Sequence, residues 1–138
     1  MEKVTLRRQS LNKALTRLEH ALEKLKSIEH ARPDNQDEKM IFQDSCIKRF
    51  EFCFDLFWKL LKEYLEYNES VYASSPKNVI HACFKQKIID QEETDLLFAM
   101  IDDRNRTAHD YDETMAQKIA EHINNYCMIM KAVSLRLN

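Results

Sequence analysis

The chain has 138 residues, 44% hydrophobic and 32% charged, with a formal net charge of −2. That length suits one domain that buries roughly two-thirds of its unfolded surface, so a core forms without staples. The near-neutral balance gives no support to strong non-specific nucleic-acid binding, and any RNA contact has to be local.

Glycine is absent and proline occurs only at Pro33 and Pro76. Both residues punctuate loops, so the chain is expected to be mostly helix with few, short connections. A first helix is expected from about Val4 to Glu29. Leu11, Leu15, Leu18, Leu22 and Leu25 form its packing seam, widened by Ala14, Ala21 and Ile28. Its other side carries Arg7, Lys13, Arg17, Lys24 and Lys26 with Glu19 and Glu23 interspersed, and is read as solvated. Ala31 to Asn35 is a turn, and Asn35 with Glu38 has capping-box spacing.

The second helix, from about Gln36 to Tyr67, is the most hydrophobic element. Ile47, Phe50, Phe54, Phe57, Leu61 and Tyr64 make one stripe, flanked by Cys46, Cys53 and Leu60. Phe52, Leu56 and Trp58 cover much of the rest. A helix apolar nearly all round needs several neighbours, which suggests a central helix with one side closed by a second subunit. Glu51, Asp55 and Lys59 interrupt it at four-residue spacing. They form either a solvent strip with an Asp55–Lys59 pair or an acidic seat for Arg104. Ser75 and Pro76 open a short third helix to about Gln86, with Val79, Ile80 and Cys83 inward. Asp90 with Glu93 starts the fourth. Asp112 caps a fifth to about Leu137, with Met115, Ile119, Ile123, Tyr126, Met130, Val133 and Leu137 on its stripe. Four long helices and a short one make a single-domain, all-α up-and-down bundle spanning residues 1–138 the expected fold.

The four cysteines, Cys46, Cys53, Cys83 and Cys127, are scattered, with no histidine at zinc-ligand spacing. Cys46 and Cys53 stand about 10 Å apart along one helix, too far for a disulfide. All four are expected as reduced, mostly packing thiols in a cytoplasmic protein. No metal site and no cofactor is expected. The charged start, Met1 to Arg8, lacks the apolar core of a secretion signal, and no apolar run suffices to span a bilayer.

The chemistry concentrates in Asp103-Arg104-Asn105-Arg106-Thr107-Ala108-His109-Asp110-Tyr111. Arg104 continues the stripe Leu96, Leu97, Met100, Ile101, where a guanidinium costs free energy unless paired or facing a wet cleft. His109 lies five positions on, about 140° around an ideal helix. The two side chains converge only if the helix ends near Thr107 or if two chains meet. On spacing alone, Arg104 reads equally as an ion-pair residue, His109 as a helix-end residue and Tyr111 as a packed anchor.

Arg104-x-x-x-x-His109-x-Tyr111 resembles the R-x-x-x-x-H-x-Y motif of HEPN domains. Arg49-Phe50-Glu51, Phe54-Asp55 and Trp58-Lys59 resemble the R-F-E, F-[DE] and W-K positions of the branch associated with a minimal nucleotidyltransferase. That branch is described both as nucleotidyltransferase substrate-binding proteins and as toxins of HEPN/MNT toxin–antitoxin pairs. The resemblance implies a homodimer with the motif in an interfacial cleft, a nucleotidyltransferase partner, and Tyr111 as the residue that receives AMP. Metal-independent RNA cleavage would use His109 to move the 2′-hydroxyl proton and Arg104 to hold the phosphate oxygens. Asn105 would orient histidine or substrate, or simply cap the helix, and Arg106 would contact phosphate from the solvent side. The alternative is a cleft that binds a nucleotide or other substrate for the partner enzyme without catalysis of its own.

Overall fold

The computed structural model describes residues 2–109 and 112–137. Within them the chain forms five helices and no strand: α1 Glu2–Ala31, α2 Gln36–Asn68, α3 Pro76–Lys85, α4 Gln91–His109 and α5 Glu113–Arg136. The expected boundaries hold to within about two residues at most ends, because each is set by local capping chemistry. Asn35 accepts from the Glu38 amide at 3.1 Å, Ser75 from Asn78 at 3.3 Å and Asp112 from Met115 at 2.8 Å. At α4 the box is reciprocal: Asp90 accepts from the Glu93 amide at 2.8 Å, and Glu93 accepts from the Asp90 amide at 3.0 Å.

A chain without glycine must place other residues where the backbone turns left-handed. Ser70 and Lys87 take those positions at φ 52° and 62°, at a cost of about 1 kcal/mol each. Lys87 closes α3 in a Schellman turn: its amide bonds Phe84 O, and the Ile88 amide reaches Cys83 O. The hydrogen bonds so recovered offset the strained backbone.

Helix α2 packs on all four other helices, and α5 packs on α1, α2 and α4. Among the described residues α1 and α4 do not touch, so they flank the α2–α5 pair on opposite sides. This follows from the sequence pattern. Phe50, Cys53, Phe57, Leu60 and Leu61 of α2 are fully buried, whereas α1 buries one seam: Leu11, Leu15, Leu18 and Leu25. Polar ties hold the ends in register. Buried Glu63 of α2 accepts from Arg7 of α1 at 2.7 Å. Arg136 of α5 forks onto Glu93 of α4. One side of α2 stays open in the single chain, where Ile41 and Phe52 are 66% and 59% exposed. No helix of the described residues is long and apolar enough to cross a membrane.

Candidate functional site

Arg104 sits on the fourth turn of α4, which the stripe Leu97, Met100, Ile101 anchors against its neighbours. The next inward position is shared by Asp103 and Arg104, whose side chains diverge to opposite sides.

On the α2 side, Arg104 meets a small polar cluster. Its Nη1 donates to Glu51 Oε2 at 3.0 Å. Thr107, one turn later, donates its hydroxyl to the same carboxylate oxygen at 2.8 Å. Asp55 stands 3.9 Å from Nη2, beyond hydrogen-bond range, so this nitrogen keeps donors to give. The Arg104 side chain is 23% exposed and that of Glu51 21%. Glu51 therefore faces Arg104, as one of the two readings of the acidic strip required. Among the described residues no Asp55–Lys59 pair forms. A shallow cavity of about 530 Å³ adjoins the cluster, reaching from Ile41 and Ser45 to Glu51 and Thr107.

On the α5 side, Asp103 is 4% exposed. It accepts the Tyr126 hydroxyl, faces His122 Nδ1 at 3.0 Å and pairs with Arg106 at 3.1 Å. Tyr126 in turn stacks on Phe50, with ring centroids 5.6 Å apart. Burial, then the bond to Asp103, pushes the Tyr126 phenol well above the ordinary tyrosine range. This carboxylate, with Thr107, is what sequence reasoning missed. The available signal was the three-residue step Leu97, Met100, Asp103, which continues the buried stripe. Replacing Asp103 by alanine orphans a buried hydroxyl and is expected to cost about 2 kcal/mol. Adding Tyr126→Phe should recover part of that loss in urea titrations, and a double variant weaker than the single would contradict the pairing.

Helix α4 does not end near Thr107 but continues to His109. The first of the two routes by which Arg104 and His109 could converge is thereby closed. His109 is exposed on the last turn, and its side chain meets no hydrogen-bond partner among the described residues. Asn105 and Arg106 are also exposed. Arg106 is not unattached on the solvent side, because its guanidinium bonds Asp103. Tyr111 lies outside the described residues.

The four thiols are buried. Burial pushes Cys46 and Cys127 up to about 11 and Cys53 and Cys83 up to about 12. They are packing groups, far from the thiolate form that reacts.

This constellation on an all-α bundle defines a helical protein with a polar site at the end of one helix and not in a deep pocket. Residues 6–138 match the family described as nucleotidyltransferase substrate binding protein like, and the chain belongs to it. A crystal structure of a Thermus thermophilus protein superposes with a TM-score of 0.70 at 34% identity, covering 88% of this chain and 98% of that one. Two toxin–antitoxin structures share the fold at lower identity. One is a MntA–HpeT mutant, with a TM-score of 0.67 at 13% identity, covering 91% of this chain and 95% of that one. The other is a tri-AMPylated Shewanella oneidensis HEPN toxin in complex with an MNT antitoxin, with a TM-score of 0.66 at 15% identity, covering 91% and 94%. The nucleotidyltransferase-associated branch read from the motifs is thus matched by the family model, and the fold is shared with a HEPN toxin. No curated protein matches the sequence.

Proposed function

We propose that this chain is the HEPN partner of a minimal nucleotidyltransferase, acting as the toxin of the pair through metal-independent cleavage of RNA. The observation that carries the reading is the seating of Arg104. A partly exposed guanidinium held by Glu51 and Thr107, with a second nitrogen still able to donate, is preorganised for a phosphate. His109 lies on the exposed end of the same helix. In the reaction the ribose 2′-oxygen attacks phosphorus to form a 2′,3′-cyclic phosphate, His109 takes the 2′-hydroxyl proton, and the 5′-oxygen leaves as a hydroxyl after taking a proton from water. Two motifs facing across a two-fold axis bring the histidine of one subunit to the arginine of the other, the remaining route to convergence. The exposed Ile41 and Phe52 of α2 are apolar surface such a dimer would cover.

Regulation falls to Tyr111. Its phenol oxygen attacks the α-phosphorus of ATP on the partner enzyme, pyrophosphate leaves, and the phenol proton passes to solvent. The added phosphate charge repels RNA from the cleft. What supports this part is the R-x-x-x-x-H-x-Y spacing and the AMPylated HEPN toxin that shares the fold.

Expression of this chain alone is expected to arrest bacterial growth, and His109→Ala to relieve the arrest. Unimpaired growth with the intact protein would replace the nuclease by a substrate-binding subunit without catalysis, a role the family description also accommodates. Incubation with the partner and ATP should add the mass of AMP to the chain. A Tyr111→Phe variant gaining the same mass would exclude that tyrosine as acceptor.

A further inference from the structure

The far side of α2 carries a second feature that the motif does not use. Arg17, His20 and Lys24 recur at three- and four-residue spacing along one face of α1. Opposite them stand Phe42, Ser45 and Arg49 of α2, at the same spacing. The two rows line a groove of about 290 Å³ whose walls contain no carboxylate. Arg17, His20, Lys24 and Arg49 are exposed, and Phe42 is half-buried at the floor. Many other cations of the chain are tied to acids: Arg7 to Glu63, Arg32 to Glu38, Lys62 to Glu66, Lys131 to Glu19 and Arg136 to Glu93. Among the described residues Arg17, Lys24 and Arg49 have no such ion pair. In a chain of net charge −2, three unneutralised cations and a histidine in one groove mark a local anion-binding surface.

The chemistry narrows the anion. A row of cations tracks a phosphodiester backbone, and a half-buried aromatic ring set among them offers a base a stacking partner, the combination used for single strands. Position supports the same occupant. Ser45 lines this groove and also the cavity that reaches Glu51 and Thr107, the residues that seat Arg104. Glu51, Lys48 and Ser45 step by three residues around the outer surface of α2, and Arg49 follows Ser45 by one turn. The basic groove and the motif site are therefore two ends of one path over α2, which carries Lys48 beside the carboxylates Asp44 and Glu51, and Arg104 offsets the Glu51 charge along it.

We propose that the α1–α2 groove built from Arg17, Lys24 and Arg49 binds the backbone of single-stranded RNA and feeds it over Ser45 to the Arg104 site. This deepens the nuclease reading and rests on it for the identity of the polymer.

The test is binding of a short fluorescein-labelled single-stranded oligoribonucleotide to the full-length protein, followed by anisotropy over a range of salt. The triple variant R17E/K24E/R49E alters exposed positions only, and its helicity by circular dichroism should match the parent. Its affinity should fall by at least about tenfold, and the slope of log K against log salt by about 2, at roughly 0.7 per lost phosphate contact. Arg104→Ala should keep the groove's share of the salt slope while losing cleavage, so loss of the nuclease reading and loss of the groove are separately visible. An unchanged slope in the triple variant overturns the proposal. So does a triple variant that binds RNA normally but no longer binds the nucleotidyltransferase, which would make the groove a protein-docking surface.

Discussion

Arg104→Ala is expected to lower RNA cleavage by about 10²–10³-fold while leaving the chain folded, because it removes a preorganised donor aimed at developing charge. The stability cost should be small. The Arg104–Glu51 pair is about one-fifth exposed on both sides, and its solvent screening keeps the loss near that of a surface pair, roughly 1 kcal/mol or less. Glu51→Ala separates holding from chemistry. It leaves the guanidinium in place but releases it from its bond to the carboxylate, so that Thr107 is left to restrain it. Cleavage should fall less than in Arg104→Ala, with the loss in kcat and not in KM, because a misaimed fork still attracts phosphate. Equal loss in the two variants would make Glu51 a participant in the reaction; no loss in either would remove Arg104 from it.

Alkaline unfolding should be unusually steep. Each buried thiol has its pKa raised above the ordinary 9.0, to about 11 for Cys46 and Cys127 and about 12 for Cys53 and Cys83. A raised pKa means the folded state keeps a proton that the unfolded chain gives up. The resulting stability is intact below about pH 9 and drains away as pH climbs through the folded values. Each thiol removes about 1.4 kcal/mol per pH unit once the unfolded form is ionised. All four together remove about 4 kcal/mol per unit near pH 10–11, where Cys46 and Cys127 begin to ionise in the folded state as well, and Tyr126 adds to the same trend at the upper end. A domain of this size holds roughly 5–15 kcal/mol in total, so it should unfold by about pH 11. Urea midpoints at about pH 8 and about pH 10.5 measure the effect, and Cys83→Ala should make the pH slope about one-quarter shallower. A midpoint that stays level over that interval would mean that the thiols are not buried as described.

The helices were legible because their signals are local. Asn35, Ser75, Asp90 and Asp112 cap the chain where a polar side chain finds an amide three residues on. The buried stripes of α1, α2 and α5 repeat with the helical period. The end of α4 was harder to place. Thr107, Ala108 and His109 carry no stop signal, and the helix runs on two residues past the point where Arg104 and His109 would have been free to turn toward each other.

The sequence by itself determined the number, order and inward faces of the helices, and the presence of an arginine, a histidine and a tyrosine in one motif. Those depend on neighbours three or four positions apart. Only the tertiary structure decided what each charged group faces: Arg104 on Glu51, Asp103 on Tyr126, and α1's solvated-looking cations across a groove from Arg49. Those partners lie 53, 23 and at least 25 positions apart in the chain. Pairing at that separation is set by how helices pack, which no local spacing encodes.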